Sequence, residues 1–218
     1  MEKFLSFFTD ILIEALGQTI YMVGISTILA TLIGFILAIV LVVTDESGLR
    51  PNKIINSILG FIVNTLRSFP FIILVVAIIP LTRVIVGRSI GETAALVPLT
   101  IGAAPFIARV IEGALKEVDK GLIEAARSFG ASDFQIIFKV MVKEAMPSII
   151  SGITLSIISI IGYSAMAGAV GAGGVGAVAL TYGYQRFDNE VMIYTVITLI
   201  IIVQLLQGAG NLAYKKLK

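Results

Sequence analysis

The chain has 218 residues, of which 57% are hydrophobic and 14% are charged, and its mean hydropathy is +1.02. Soluble domains contain roughly 25% charged residues, so this composition indicates an integral membrane protein. Cysteine, histidine and tryptophan are absent, which excludes disulfides, thiolate or imidazole catalysis and Cys/His metal sites. We therefore predict no metal site, and a net charge of only +2 gives no sign of a nucleic-acid partner.

Five stretches are long and apolar enough to cross a bilayer, which requires about 20 apolar residues. They lie at approximately 18–43, 56–80, 93–115, 148–167 and 191–212. An amphipathic helix is expected before the first span, because residues 1–18 mix charged and apolar residues and lack the pattern of a cleaved signal peptide. The predicted fold class is an all-α integral membrane protein with five transmembrane helices, in which residues 1–218 form one transmembrane domain.

Prolines are expected to shape the second and third spans. Apolar residues at helical spacing over 54–66 predict an amphipathic helix that continues through Pro70 with a kink. Pro98 and Pro105 are expected to interrupt the third span. The predicted loops outside the main charged segment are 45–53, 81–93 and 182–190.

The distribution of basic residues predicts the orientation, because cytoplasmic loops of membrane proteins are enriched in Lys and Arg. With the C-terminus inside, the inner segments hold Arg50, Lys53, Arg109, Lys116, Lys120, Arg127, Lys139, Lys143, Lys215, Lys216 and Lys218. The outer segments hold only Lys3, Arg83, Arg88 and Arg186. We therefore predict an outside N-terminus and a cytoplasmic C-terminus, with the segment between spans three and four in the cytoplasm.

That segment, residues 119–147, is highly charged and predicts two short helices joined by a sharp turn. Gly130 suits the left-handed position that ends a helix, and Ser132 with Gln135 forms a capping-box pattern that begins the next. Apolar residues then recur at helical spacing and form one stripe: Phe134, Ile137, Phe138 and Met141. From the residues alone, the stripe fits either a groove on a soluble partner or packing against the chain's own spans.

Glu124-Ala125-Ala126, followed after three residues by Gly130, resembles the EAA loop of binding-protein-dependent ABC importer permeases. The tail of the family pattern is less complete, since Lys143 stands where proline is usual and a proline follows only at Pro147. The resemblance implies that residues 119–147, here called the EAA segment, form a coupling helix-turn-helix that inserts into a cleft of an ATPase subunit. The residues that it places at this contact are Glu124, Ala125, Ala126, Gly130, Ala131 and Phe134.

Two glycine-motif observations bear on nucleotide binding. The chain has no G-x-x-x-x-G-K-[ST] phosphate loop. The resemblance therefore implies that ATP and Mg²⁺ bind to the separate ATPase subunits, and that this chain binds no cofactor and is not an enzyme.

"GAGGVG" (171–176) matches the dinucleotide pattern G-x-G-x-x-G, but it follows a membrane span instead of a strand and lies in an uncharged stretch. Close packing of helices explains these glycines better.

Three further stretches narrow the resemblance, and they lie at 67–91, 97–118 and 162–176. "RSFPFIILVVAIIPLTRVIVGRSIG", "VPLTIGAAPFIARVIEGALKEV" and "GYSAMAGAVGAGGVG" are similar to the methionine-uptake permeases of this superfamily. The resemblance implies a methionine importer in a bacterial cell membrane, in contact with lipid. It would contain two copies of this chain, two cytoplasmic ATPase subunits and a methionine-binding lipoprotein outside. Permeases for another amino acid or a betaine-type osmoprotectant share some of these motifs and form the alternative.

A low-affinity pathway for a zwitterion with a soft apolar tail needs few charges. The residues predicted to line it are Tyr163, Ser164, Met166, Ser68 and Phe71. Polar or soft side chains within spans tend to face protein interiors, although ordinary helix packing is the alternative for each of them. Arg67 is expected near the cytoplasmic end of its span, where its guanidinium reaches lipid phosphates.

Two functional classes other than an ATP-driven permease fit the sequence less well. A secondary transporter or channel is disfavoured, because no internal repeat is visible and five spans do not divide into two equal halves. A pathway on a two-fold axis would then need a second copy of the chain. An intramembrane enzyme is disfavoured because no carboxylate or lysine lies in the middle of a predicted span.

Overall fold

The computed structural model describes residues 11–217, and every regular element in that range is helical. The α-helices are α1 (Ile13–Thr44), α2 (Lys53–Ser68), α3 (Phe71–Ala77), α4 (Ile79–Val86), α5 (Glu92–Lys116), α6 (Lys120–Ser128), α7 (Asp133–Gln135), α8 (Val142–Gly168), α9 (Gly174–Val178) and α10 (Asn189–Leu217). π-Helical turns occupy Ile136–Met141 and Ala179–Tyr184. Most of the amphipathic helix predicted for residues 1–18 lies outside the described residues.

Among residues 11–217, four helices are long and apolar enough to cross a membrane. They are α1, α5, α10 and a continuous helix that runs from Asp133 to Gly168. The pair α2 and α3 also meets the composition test, but the two helices are bent by 103°. By length and composition, residues 11–217 therefore contain four candidate spans, or five if the bent pair crosses the membrane as one broken span.

The centre of the fold is the contact between α1 and α5, with α8 packed beside them. A Cβ atom added at Gly34 of α1 would lie 2.9 Å from the carbonyl oxygen of Ala104 of α5, so the two backbones approach closely. Ala30 and Ala38, one turn away on either side, are fully buried. Small residues at such a face let membrane helices gain van der Waals contact along their length.

The predicted interruption of the third span is wrong. Pro98 and Pro105 both lie inside the continuous helix α5, and both are buried. Each proline removes one backbone hydrogen bond, but neighbouring helices and local adjustments tolerate that loss within membrane helices. Packing against α1 and α8 therefore keeps α5 continuous where local propensity favours a break.

The second span departs more strongly from the prediction for 56–80. The kink at Pro70 is a bend of 103° between α2 and α3, because Phe69 and Pro70 take extended backbone conformations. The loop predicted for 81–93 is also partly wrong, since α4 continues to Val86 and ends at Gly87, whose φ is +81°.

The two short helices predicted within the EAA segment are only half right. The first is α6, but the second is the beginning of the 36-residue helix Asp133–Gly168. Lys143 and Pro147 both lie inside that helix. The predicted helix-turn-helix at 119–147 is therefore one short helix, a turn, and the first turns of a long helix.

The glycine-rich stretch forms a tight turn between α8 and α9. Gly171, Gly173 and Gly174 have φ values of +88°, +86° and +81°, which favour glycine strongly. A Cβ on Gly176 would lie 2.3 Å from the Cα of Ala165 in α8. These contacts agree with the packing interpretation of GAGGVG and not with a nucleotide site.

Candidate functional site

The EAA segment begins and ends α6 with local hydrogen bonds. Asp119 caps the helix, because its side chain accepts a bond from the amide of Gly121 at 2.6 Å. At the other end, Gly130 takes a φ of +78°. The amide of Ala131 donates to the carbonyl of Ala126 at 3.1 Å, and that of Gly130 donates to the carbonyl of Arg127 at 3.0 Å. This pair of bonds is a Schellman motif, so the predicted left-handed role of Gly130 is confirmed.

The predicted capping box at the start of the next helix is also confirmed. The amide of Ser132 donates to Oε1 of Gln135 at 2.9 Å, and the amide of Gln135 donates to Oγ of Ser132 at 3.3 Å. These reciprocal bonds satisfy two amides that a helix terminus otherwise leaves unpaired. The turn between α6 and the long helix is thus fixed by residues within six positions of one another.

The EAA segment exposes large apolar side chains to solvent although it is rich in charged residues. No residue of α6 is buried, and Phe129 is 92% exposed while Phe134 is 66% exposed. Glu124, Ala125 and Gly130 are exposed beside them. Leu122 is exposed as well. We call these six residues the coupling face.

The structure separates the six residues predicted for an ATPase contact into two groups. Glu124, Ala125, Gly130 and Phe134 lie on the coupling face, whereas Ala126 and Ala131 are half-buried and pack against the core. Leu122 and Phe129 are exposed on the same segment but were not among the residues predicted from the sequence. The exposure of Phe129 could have been suspected from the sequence, because Phe129 directly precedes the glycine that ends α6 and so lies in the turn after the helix.

The predicted apolar stripe is divided between the two interpretations that the sequence left open. Met141 is buried, and Ile137 packs against the core beside the buried Ile136. Phe134 and Phe138 face outward with ring centroids 4.5 Å apart. The stripe therefore anchors the helix to the spans on one side and leaves an aromatic pair exposed on the other.

The loop between α1 and α2 contacts the EAA segment through two polar interactions. Arg50 forms an ion pair with Asp133, and the guanidinium of Arg127 donates to the carbonyl of Leu49 at 3.3 Å. We call these two contacts the clasp. It joins the end of α1 to both sides of the turn that contains Gly130.

A chain of charges joins the same loop to the end of α5. Glu112 is 5% exposed and accepts bonds from Arg109 at 2.7 Å and Lys116 at 2.9 Å. Lys116 also contacts Asp45 at 2.7 Å. The hydrogen bond from Lys116, with further bonds from Ser47, lowers the pKa of Asp45 to about 2. A buried carboxylate is tolerable here because two cations satisfy it.

Two of the predicted pathway residues lie in contact. Phe71 of α3 and Tyr163 of α8 stack with ring centroids 4.5 Å apart and an interplanar angle of 10°. They line a cavity of about 120 Å³ together with Gly102 and Phe106 of α5. This cavity is smaller than a typical ligand pocket, which starts near 300 Å³.

The other three predicted pathway residues lie elsewhere. Ser164 is buried and its hydroxyl donates to the carbonyl of Ile161 at 2.8 Å. Met166 is 49% exposed on the surface of α8. Ser68 is exposed at the end of α2, where its hydroxyl donates to the carbonyl of Asn64 at 2.9 Å. Only Tyr163 and Phe71 thus meet in one place.

Residues 30–215 match the family model of the binding-protein-dependent transport system inner membrane component. The chain belongs to this family. Membership makes it a membrane subunit of a bacterial transport system, not an enzyme, and excludes the secondary transporter considered from the sequence. It also agrees with the EAA motif and the apolar helices described above.

Several members of the family are close relatives of this chain. It is 50% identical over 203 residues to a probable D-methionine transport system permease protein of Vibrio cholerae, which covers 93% of this chain and 90% of the relative. It is 46% identical over 172 residues to the methionine import system permease protein of Bacillus subtilis, covering 79% and 78% of the two chains.

Solved structures agree with the fold of this family member. A chain of an inward-facing MetNI methionine ABC transporter superposes with a TM-score of 0.94 at 44% identity, covering 95% of this chain and 96% of that one. A second crystal form gives a TM-score of 0.91 at 45% identity, covering 92% and 93%. An amino acid ABC transporter at 19% identity has a TM-score of 0.76, covers 94% and 92%, and shares the fold alone.

Proposed function

We propose that this chain is the membrane-spanning subunit of an ATP-driven methionine importer. Two copies form the pathway, two ATPase subunits bind the coupling faces in the cytoplasm, and a methionine-binding lipoprotein delivers cargo outside. ATP and Mg²⁺ bind to the ATPase subunits. The observation on which the proposal rests is the coupling face, an exposed and largely apolar surface that adjoins the start of a membrane-length helix and includes Phe134 of that helix.

The composition of the coupling face suits a cleft on another protein. Phe129, Phe134 and Leu122 expose large apolar side chains together, and exposed apolar clusters mark interaction surfaces. Ala125 permits close approach beside them, and Glu124 supplies an exposed negative charge. A solvated loop would gain nothing from this arrangement.

The way the segment is attached explains how docking moves the spans. The helix Asp133–Gly168 begins at the coupling face and reaches Tyr163 without a break. Displacement of its first turns therefore displaces the residue that stacks on Phe71. Closure of the ATPase subunits around ATP would bring the two coupling faces together, and the pathway between the two copies would switch from inward-facing to outward-facing.

Methionine is the proposed cargo for two reasons. Relatives at 46% and 50% identity are named as methionine or D-methionine permeases. The stacked pair Phe71 and Tyr163 gives an apolar and polarizable surface that suits a thioether tail. The alternative cargo is another amino acid or a betaine, which would be transported by the same mechanism.

The test is a charge reversal on the coupling face. Glu124→Lys and Gly130→Val should still insert in the membrane but should lose most ATP-dependent methionine uptake, measured in vesicles that contain the full complex. The matched control is Glu190→Lys, an exposed glutamate at the start of α10 far from the EAA segment, which should transport normally. Normal methionine uptake by both coupling-face variants would contradict the proposal.

A further inference from the structure

The two ends of α1 make specific contacts that the coupling mechanism above does not use. At the end near the EAA segment, α1 leads into the clasp. The loop that follows α1 is folded tightly onto the helix, because the amide of Arg50 donates to the carbonyl of Val43 and that of Asn52 donates to the carbonyl of Thr44, both at 2.9 Å. The side chain of Arg50, which pairs with Asp133, is therefore carried on a rigid extension of α1.

At its other end, α1 caps the short helix α9. The amide of Gly174 donates to Oε1 of Gln18 at 2.7 Å, and the amide of Val175 donates to Oγ1 of Thr19 at 2.9 Å. These side chains satisfy two amides at the start of α9, which lacks a capping side chain of its own. The fit is close, since a Cβ on Gly173 would lie 2.5 Å from Oε1 of Gln18.

Between these ends α1 is one continuous helix. Its 32 residues have a length of about 48 Å at 1.5 Å per residue. Packing of Gly34 against the backbone of α5 opposes bending at its centre. A displacement at one end is therefore communicated to the other, in the way that rigid elements couple distant sites.

We infer that α1 is a second transmission element, which links the EAA segment through the clasp to the glycine-rich turn at the opposite end of the molecule. The inference rests on the proposed function. Its positioning residues are Arg50 and Asp133 at the clasp and Gln18 and Thr19 at α9. Movement of α6 would then reach the Gly171–Gly176 turn along α1 as well as along α8.

A cysteine reporter tests the inference, because the chain contains no cysteine and gives no background. Ala169→Cys places an exposed thiol beside the glycine-rich turn. In the complete complex, its rate of reaction with a soluble maleimide should differ between nucleotide-free and ATP-vanadate states. Arg50→Asp and Asp133→Arg should each reduce that difference, because the part carried by α1 is lost while α8 still moves, and the charge-swapped double variant should restore it.

The size of the effect on transport should be modest. Arg50 is 79% exposed, and an exposed ion pair shifts an equilibrium by about two- to fivefold at most. Methionine transported per ATP should therefore fall by about that factor in each single variant and recover in the double variant. At the opposite end, Gln18→Ala with Thr19→Val should produce the same loss although neither residue is near the ATPase. Gly17→Ala, where an added Cβ meets no atom within 4 Å, is the matched control.

The outcomes separate the two proposals. If the reporter responds to nucleotide in the parent chain and equally in both clasp variants, α1 does not transmit the movement and this inference is wrong while the proposed function stands. If the double charge swap fails to restore the response, the clasp acts other than as an ion pair and the inference is likewise overturned. If the parent complex shows no nucleotide response and no ATP-dependent uptake, both proposals fail.

Discussion

Asp45 is the residue whose ionisation the fold changes most clearly. Hydrogen bonds from Lys116 and Ser47 lower its pKa from 3.8 to about 2. A carboxylate with a lowered pKa stabilises the folded state above its unfolded pKa, and that stabilisation is lost as the pH falls through the folded pKa. The contribution of Asp45 should therefore be complete at neutral pH and should disappear between about pH 4 and pH 2.

Replacement of this carboxylate gives a prediction with a definite sign. Asp45→Asn should lower the melting temperature of the purified chain in detergent at pH 7 by at most about 4 °C, because partly exposed ion pairs contribute about 1 kcal/mol or less. The deficit should shrink as the pH is lowered from 5 to 3. Glu46→Gln, the exposed neighbour, is the control and should show no such deficit. A deficit that is constant across this range would contradict the assignment to the Asp45 carboxylate.

Among the elements, those fixed by nearby residues were predicted best. The turn at Gly130 and the capping box at Ser132 and Gln135 depend on hydrogen bonds within six residues, and the structure has them as expected. The bend at Pro70 was expected only as a kink. Proline at position 70 favours an extended conformation at Phe69, but the pattern does not specify that the two helices meet at 103°.

The same distinction explains the helices that continue where a break was predicted. Proline patterns report local backbone preference, whereas α5 is continuous and packs against α1 and α8. In the EAA segment, the second helix does not end because the π-helical turn Ile136–Met141 leads directly into α8. A single sequence does not show which helices pack against one another, and that packing decides whether a helix continues through a proline.

The close approach of α8 and α9 gives an element-scale prediction. A Cβ at position 176 would lie 2.3 Å from the Cα and 2.7 Å from the carbonyl oxygen of Ala165, and these backbone atoms cannot rotate away. Gly176→Ala should therefore destabilise the chain by about 1–3 kcal/mol, the usual cost of overpacking. Thermal unfolding in detergent measures the effect.

The control for this prediction is a glycine in open space. At Gly24 of α1 an added Cβ meets no atom within 4 Å, and alanine favours a helix over glycine by about 0.5–1 kcal/mol. Gly24→Ala should therefore leave the melting temperature unchanged or raise it slightly. Equal stability of the two variants would show that the helices are not in contact at Gly176.

For the whole molecule, the candidate site could be found only in part from the sequence. Phe71 and Tyr163 were each selected for their chemistry, but their contact across 92 positions was not predictable from spacing. The pairing of the buried Glu112 with two cations was not predicted from the sequence. The exposure of Phe129 depends on where α6 lies relative to the spans, which motif reasoning does not specify.

The orientation of the whole chain in the membrane is a prediction that thiol labelling can test directly. Excess Lys and Arg place the α1–α2 loop inside and the segment before α10 outside. Glu46→Cys and Gln185→Cys introduce exposed thiols in these two places, into a chain without other cysteines. In intact cells a membrane-impermeant maleimide should label position 185 and not position 46.

Permeabilised cells are the control for accessibility, and both positions should then react. The opposite labelling pattern in intact cells would place the EAA segment outside the cytoplasm. ATPase subunits could not reach the coupling face in that orientation, so the same result would also remove the basis of the proposed function. Labelling of position 185 alone therefore supports the positive-inside orientation and the cytoplasmic location that coupling requires.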